Sequence, residues 1–322
     1  MSRVHDALRR AALAGSPPAP PTAPAGPADS AAAQEFASAT LSGGRIIAGA
    51  AVADAFHSMD TLAQRIQEIP YNPLPESLVI DPLRPHDAPM EEFRSLRTRL
   101  NHMQSLQPIH SVVVTSPSPA EGKSFTATNL AIAQSQLAGN RTLLCDFDFR
   151  RPTIHSSFQM NRSPGLTDFL LGKAELHEII KKVGSTNLYV MPAGEAVINP
   201  LELLNLREVK MLMDQLPTVF NWVIMDTPPL LFAADANLIA TLTHGTILVV
   251  RIGTTTIDSV TRAMQSLCQN NVLGIVVNGA RRGELYSKYT YYHSYYTPRD
   301  EKTGDEGEKA QVEPEVAVKT GG

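Results

Sequence analysis

Short apolar runs of strand length alternate with helical segments between residues 111 and 277, and this alternation restricts the fold more than any other feature. Each run is rich in Val, Ile and Leu, which is typical of strands buried on both faces of a parallel sheet. The runs are 111–115, 142–146, 188–191, 222–225, 246–250 and 274–277. The pattern predicts a three-layer α/β fold, a sandwich with a mainly parallel sheet.

Composition divides the 322-residue chain into one such domain and several flanking segments. The domain is expected to open with a helix over 90–106, whose apolar face carries Phe93, Leu96, Leu100 and Met103. The expected segments are a short amphipathic helix at 1–14, a linker rich in Pro and Ala at 15–40, an irregular segment at 41–89, the α/β domain at 90–285, a tyrosine cluster at 286–296 and a disordered charged tail at 297–322.

Charge and hydropathy exclude two classes of protein. The formal net charge of -4 leaves no basic excess of the kind that nucleic-acid binding requires, so no nucleic-acid partner is expected. No stretch reaches the roughly 18 apolar residues of a membrane-spanning helix, and the N-terminus lacks the apolar core of a signal peptide. We therefore expect a cytoplasmic protein in which Cys145 and Cys268 are buried thiols.

Residues 116–124 join the first apolar run to a predicted helix over 125–137 and contain the tripeptide Gly122-Lys123-Ser124. A loop between a strand and a helix with this tripeptide binds phosphate through backbone N–H groups and the N-terminus of the helix. Lys123 would reach the β- and γ-phosphates of a nucleotide, and the Ser124 hydroxyl would hold Mg²⁺. Pro117 stands where the pattern usually has glycine, so the motif is imperfect.

Two further runs end in acidic residues. The run at 142–146 leads into Asp146 and Asp148, and the run at 222–225 leads into Asp226. Because the carboxyl ends of parallel strands meet at one edge of the sheet, these carboxylates are expected beside the phosphate loop. Carboxylates there can hold Mg²⁺, and one can accept the proton of an attacking hydroxyl. The alternative is that each Asp only caps the helix that follows its strand.

Six of the eight tyrosines lie in one segment after the last apolar run. They are Tyr286, Tyr289, Tyr291, Tyr292, Tyr295 and Tyr296. A buried aromatic cluster is one explanation, but Ser, Lys, Thr and His separate these tyrosines and the segment offers them no apolar partners. A buried aromatic cluster therefore fits this segment poorly.

Together these motifs resemble those of the bacterial tyrosine kinases of capsule and exopolysaccharide synthesis, the BY-kinases. Residues 116–124 resemble that family's Walker A motif, 146–150 its Walker A′ motif and 224–229 its Walker B motif. Glu91, Arg94 and Arg97 match the E-x-x-R-x-x-R motif through which such kinases assemble into rings. The resemblance extends over roughly residues 79–297.

The resemblance implies an ATP-dependent protein-tyrosine autokinase of the P-loop class. It implies catalytic roles for Lys123, Asp146, Asp148 and Asp226, and Mg²⁺ binding by Ser124, Asp146 and Asp226. The residues implied in ATP binding are Ala120, Glu121, Gly122, Lys123, Ser124, Phe125, Arg150 and Asn278. The tyrosine cluster is implied as the autophosphorylation site, which a neighbouring subunit phosphorylates.

The resemblance also implies partners. It predicts a homo-oligomeric ring, a membrane-spanning activator of the polysaccharide chain-length or co-polymerase type, and a cognate tyrosine phosphatase. The activator would recruit this chain from the cytoplasm to the inner face of the cell membrane. The regulated process would be the synthesis and export of exopolysaccharide or capsule.

Two other functions stay open. An ATPase switch of the MinD/ParA type would carry a signature lysine at the position of Ser118, and it would lack the tyrosine cluster. A catalytically weak ATP-binding regulator is compatible with two departures from the family pattern. Ala120 stands where glycine is usual, which is costly if the position needs a positive φ. Phe125 stands where a second hydroxyl residue is common.

Overall fold

The computed structural model of the protein describes residue 62, residues 64–72, residue 74, residues 88–267 and residues 272–280. Its strands are β1 (Gln67–Ile69), β2 (Ser111–Thr115), β3 (Thr142–Asp146), β4 (Lys181–Val183), β5 (Leu188–Met191), β6 (Trp222–Asp226), β7 (Gly245–Arg251) and β8 (Val272–Asn278). Its helices are α1 (Ala88–Leu106), α2 (Lys123–Ser135), α3 (Ile154–Ser157), α4 (Leu166–Leu170), α5 (Leu176–Ile179), α6 (Pro200–Leu204), α7 (Arg207–Val219), α8 (Asp235–Thr241) and α9 (Ile257–Ser266).

The strands form one sheet in the order β1-β4-β5-β3-β6-β2-β7-β8. Each neighbouring pair is parallel except β4 with β5, so the predicted mainly parallel sheet is confirmed. Strands β2, β3 and β5 have the predicted bounds, and β6, β7 and β8 are longer by one or two residues at one or both ends. Strands β1 and β4 were not predicted, because each has three residues and a mostly polar sequence.

Two hydrophobic clusters pack on opposite faces of the sheet. Successive side chains of a strand point to opposite faces, and in β2 Val113 belongs to one cluster while Val112 and Val114 belong to the other. Helix α7 contributes Leu212 to the first cluster, and α2 contributes Leu130 to the second. The chain is therefore the three-layer α/β sandwich that the alternation predicts.

Helix α1 covers part of the second face and matches the predicted amphipathic helix. It begins at Ala88, two residues before the predicted start, and ends at Leu106 as predicted. Leu100 is buried, and Phe93, Leu96 and Met103 pack against the same cluster. Helix α2 also lies two residues earlier at each end than the predicted 125–137.

Several predictions concern residues that the structure does not describe. They are the segments 1–14, 15–40, 286–296 and 297–322, most of 41–89, and Cys268. Cys145, by contrast, is fully buried in β3 as predicted. Among the described residues, no helix combines the length and the apolar character that a membrane crossing requires.

Candidate functional site

Three adjacent strands bring the phosphate loop and the predicted acidic residues to one edge of the sheet. Strand β6 lies between β3 and β2, and its Asp226 stands directly opposite Asp146 of β3. Asp226 is also opposite Val114 of β2, two residues before the loop begins at Ser116. The three sequence motifs are therefore contiguous in space, as the strand-end argument predicts.

The loop contains two residues in the left-handed region of the backbone map. Gly122 has φ +93°, a conformation that favours glycine, and a Cβ there would overlap the side-chain amide nitrogen of Asn278, which would have to shift. Ala120 has φ +62°, which is uncommon for a residue with a side chain. The sequence predicts that Ala120 is a costly replacement for glycine if this position needs a positive φ, and the structure shows that its φ is positive.

Helix α2 directs its N-terminus at the space beside the loop. Its first intrahelical hydrogen bond runs from the Thr126 N–H to the Gly122 carbonyl at 2.9 Å. The N–H groups of Lys123, Ser124 and Phe125 therefore have no acceptor within the helix. These donors and the positive end of the helix dipole make the N-terminus an anion-binding position.

Lys123 is surrounded by carboxylates. Its Nζ lies 2.9 Å from Oδ2 of Asp148 and 3.6 Å from Oδ1 of Asp226, and it also donates to the Ser124 hydroxyl at 3.1 Å. Burial alone would lower the pKa of Lys123, but the charges of Asp226 and Asp148 outweigh it and raise the pKa. Lys123 is thus held as an ammonium ion at the edge of the sheet.

The two opposed aspartates differ in how their oxygens are used. Asp146 accepts hydrogen bonds from the backbone N–H groups of Asp148, Thr153 and Ile154, so it caps the start of α3. Among the described residues, neither buried carboxylate oxygen of Asp226 accepts a close hydrogen bond, and the groups that face this carboxylate are the Lys123 ammonium, 3.6 Å from Oδ1, and the Ser124 hydroxyl. The helix-capping alternative therefore applies to Asp146 and not to Asp226.

Burial raises the pKa values of both aspartates. It raises the pKa of Asp226 to about 6, against the opposing effect of the Lys123 ammonium. It raises the pKa of Asp146 to about 8, and the charge of Asp226 beside it adds to the effect. The two adjacent buried carboxylates supply oxygen donors of the kind that a hard divalent cation takes, and the Lys123 ammonium balances part of their charge until such a cation binds.

Two other residues predicted to bind nucleotide are engaged within the chain. Arg150 forms a two-pronged ion pair with the buried Asp235, from Nε at 2.9 Å and from Nη2 at 3.2 Å. The ring of Phe125 packs edge-to-face against Phe93 of α1, with ring centroids 6.3 Å apart. Phe125 therefore connects the first turn of α2 to α1.

The remaining contacts around the loop involve Glu121, which the sequence predicts as a nucleotide-binding residue, and two residues that it missed. The Glu121 side chain turns inward and accepts from Thr255, while Arg251 donates to the Ala120 carbonyl. Asn278, at the end of β8, donates to the Glu121 carbonyl at 2.9 Å. Arg251 is the last residue of β7 and Thr255 lies four residues after it, so the strand-end argument applied to every strand would have found them.

The three residues of the predicted assembly motif lie on α1. Arg94 contacts Glu91 at 3.4 Å, an exposed pair of the kind that contributes little to stability. Arg97 instead donates to the carbonyl of Ala133 in the last turn of α2 at 3.0 Å. Arg97 therefore has a role inside the subunit, in addition to any role between subunits.

A mainly parallel sheet with a phosphate loop, a helix N-terminus and a Lys–carboxylate cluster at its carboxyl edge defines the P-loop class of nucleotide-binding proteins. A family model described as an AAA domain matches residues 119–267. The kinase domain of the Escherichia coli tyrosine kinase ETK has a similar fold, with a TM-score of 0.58 and 32% identity over 62% of this chain and 79% of that one.

Two curated relatives identify the family within this class. Tyrosine-protein kinase YwqD of Bacillus subtilis is 34% identical over 216 residues, which are 66% of this chain and 90% of YwqD. Tyrosine-protein kinase Etk of Escherichia coli strain K12 is 32% identical over 229 residues, which are 69% of this chain but 30% of Etk. The chain belongs to the bacterial tyrosine-protein kinase family, as the sequence motifs predict.

Proposed function

We propose that this kinase is an autokinase that uses ATP and Mg²⁺ to phosphorylate the tyrosine cluster of a neighbouring copy, and that it thereby regulates exopolysaccharide or capsule synthesis and export. The observation that carries the proposal is the contact of Lys123 with Asp148 and Asp226 at the N-terminus of α2. This arrangement joins an anion-binding position to carboxylates that can bind a metal ion and accept a proton. Phosphoryl transfer needs all three.

Nucleotide binding is assigned to the loop and the first turn of α2. The N–H groups of Lys123, Ser124 and Phe125 bind the phosphates, and the Lys123 ammonium neutralises the β- and γ-phosphate charge. Gly122 leaves room for this approach because it has no side chain. Ala120, Glu121, Arg150 and Asn278 complete the nucleotide site that the family resemblance implies.

The residues beside Lys123 fit a Mg²⁺ ion. Both oxygens of Asp226 are buried and accept no close hydrogen bond among the described residues, so they retain lone pairs that a hard cation would use. The Ser124 hydroxyl and Asp146 are the other proposed ligands. When bound, Mg²⁺ neutralises charge on the phosphate oxygens during transfer. The oxygens of Asp146 already accept backbone hydrogen bonds, which fix this carboxylate, and their remaining lone pairs would be available to the ion.

Asp148 is the proposed base. One of its oxygens accepts from the Arg151 N–H at 2.9 Å, which fixes the carboxylate, and the other contacts Lys123. When Lys123 turns to the phosphates, that second oxygen becomes available to orient the tyrosine hydroxyl and accept its proton. Lys123 thus pairs with Asp148 in the nucleotide-free protein and releases it when nucleotide binds.

The proposed substrate is the cluster from Tyr286 to Tyr296, which lies outside the described residues. Transfer takes place between subunits of a homo-oligomeric ring, for which Glu91, Arg94 and Arg97 are the proposed contacts. A membrane-spanning polysaccharide co-polymerase recruits the chain from the cytoplasm to the membrane and promotes nucleotide binding. A cognate tyrosine phosphatase reverses the modification. These assignments rest on the family resemblance.

A mixing experiment tests the central claim. One variant has all six clustered tyrosines changed to Phe, and the other has Lys123→Met. Incubated singly with Mg-ATP, each should give no phosphotyrosine signal. Mixed, they should restore signal on the Lys123→Met chain alone, because an intact site on one chain modifies the intact tail of the other.

Three results would count against the proposal. A six-Phe variant still labelled at Tyr71 or Tyr189 would move the substrate away from the tail. Restoration that fails in the mixture would argue for transfer within one chain. A wild type that hydrolyses ATP without any phosphotyrosine would favour a switch ATPase instead. The six-Phe variant must also bind nucleotide like the wild type, which serves as its folding control.

A further inference from the structure

We propose that the turn between β7 and α9 holds the nucleotide loop in its binding conformation, with Thr255 and Arg251 as positioning residues that act through Glu121 and Ala120. This inference rests on one part of the proposed function, the binding of nucleotide by the loop. We call the contacts among these four residues the brace. Neither Thr255 nor Arg251 belongs to a sequence motif of the site.

The centre of the brace is a buried carboxylate. The Glu121 side chain is about 1% exposed, and its Oε2 accepts from the Ser118 N–H at 3.1 Å across the loop. Its Oε1 accepts from the Thr255 hydroxyl at 2.6 Å. The Thr255 oxygen in turn accepts from the Arg251 N–H at 2.8 Å, so the hydroxyl is fixed in direction at the end of β7.

The second contact of the brace reaches the strained residue of the loop. Arg251 Nη1 donates to the carbonyl of Ala120 at 3.1 Å, and Ala120 has a positive φ. The neighbouring peptide is held from β8, where Asn278 Nδ2 donates to the Glu121 carbonyl. Two consecutive loop carbonyls are therefore tied to the ends of the two strands at one side of the sheet.

Strain at Ala120 explains why the loop needs these ties. A left-handed conformation at a residue with a side chain persists only where the surroundings enforce it. Without the brace, Ala120 would relax towards negative φ and would rotate the adjoining peptide groups. Because phosphate binding depends on the direction of the N–H groups at the start of α2, a loop that relaxes binds nucleotide more weakly.

A variant at Thr255 and a matched variant at Thr256 separate positioning from general stability. Thr256 caps α9 by accepting from the Ser259 N–H at 3.1 Å and does not belong to the brace. Thr255→Val removes the hydroxyl that links Glu121 to β7, while Thr255→Ser keeps it. Thr256→Ala removes a helix cap from the next residue in the chain.

The measurements are the affinity of the full chain for Mg-ADP, followed with a fluorescent ADP analogue, and the melting temperature without nucleotide. Thr255→Val should weaken binding about tenfold, the effect of losing a hydrogen bond to a charged group. Thr255→Ser should restore wild-type affinity. Thr256→Ala should lower the melting temperature and leave affinity unchanged.

Arg251→Met provides a second variant if Thr255→Val does not fold. Arg251 is exposed, and this change removes only the donor to the Ala120 carbonyl, so the variant should fold and bind Mg-ADP several-fold more weakly. Wild-type affinity in both Thr255→Val and Arg251→Met would overturn the positioning role. An equal loss of affinity in Thr256→Ala would show that stability alone controls binding. A wild type that binds no Mg-ADP would instead refute the proposed function.

Discussion

Replacing Lys123 with Met tests both the site and its energetics. The side chain is 12% exposed, and its ammonium contacts two carboxylates that are 4% and 0% exposed, Asp148 and Asp226. The sequence alone predicts a loss of activity with the fold intact. The structure adds a cost, because the change leaves two buried carboxylates without this cation.

The expected cost follows from buried ion pairs. Removing one partner of such a pair typically destabilises a protein by about 3–5 kcal/mol. In a domain of 150–250 residues, each kcal/mol lowers the melting temperature by about 2–4 °C, so the nucleotide-free variant should melt roughly 6–20 °C lower. Autophosphorylation should fall by at least about 100-fold, as when one electrostatic donor is removed from a reaction site.

The assay is thermal unfolding followed by circular dichroism, together with a phosphotyrosine blot at a temperature where the variant is fully folded. The double variant Lys123→Met with Asp148→Asn is the matched control. It removes one of the two uncompensated carboxylate charges, that of Asp148, and should regain part of the lost stability but no activity. Near wild-type phosphotyrosine in Lys123→Met would refute the site, and an unchanged melting temperature would refute the energetic argument.

Three further changes test individual backbone and side-chain contacts. Gly122→Ala should lower the free energy of unfolding, measured in urea, by roughly 1–2 kcal/mol because of the positive φ alone, and it should weaken nucleotide binding. Gly139→Ala has the same backbone strain but open space at its Cβ, so it should lower the free energy of unfolding similarly and leave nucleotide binding unchanged. Ala120→Gly relieves the backbone strain but raises the conformational entropy of the unfolded chain, so the free energy of unfolding should rise by roughly 0–1.5 kcal/mol. A clear loss of stability would contradict the positive φ of Ala120. Arg97→Ala should lower the free energy of unfolding by about 1 kcal/mol because the hydrogen bond to α2 is lost. Arg94→Ala should shift the sizing profile of an oligomeric wild type towards monomer and weaken autophosphorylation.

The fold could be predicted from the sequence because its central strands are buried on both faces. Strands such as β2 and β3 consist of apolar runs bounded by polar loops, so their positions are visible without any partner. Strands β1 and β4 are three residues long at one side of the sheet, and their sequences show no such pattern. Pairing with a neighbour makes them strands, and pairing is not encoded locally.

The sheet topology predicted which residues lie together in the candidate site, but it did not predict the hydrogen bonds and ion pairs of each side chain. The strand-end argument predicts that Asp146 and Asp226 are neighbours, and they are opposed in adjacent strands. It cannot show that Asp146 caps a helix whereas Asp226 faces Lys123, because that difference depends on the path of the chain after β3. The inward turn of Glu121 likewise depends on Thr255, a residue 134 positions away.

The end of β8 has a consequence for the kinetics of labelling. Asn278 contacts the nucleotide loop, and Tyr286 follows eight residues later. At no more than about 3.6 Å per residue, Tyr286 stays within roughly 29 Å of that strand end and Tyr296 within roughly 65 Å. Under the proposed transfer between subunits, a connection no longer than this would give the tyrosines an effective concentration on the order of millimolar at the site of an adjoining subunit. In an assembled oligomer the fraction of chains labelled per unit time should therefore be independent of protein concentration, whereas for dissociated chains that fraction should rise in proportion to protein concentration.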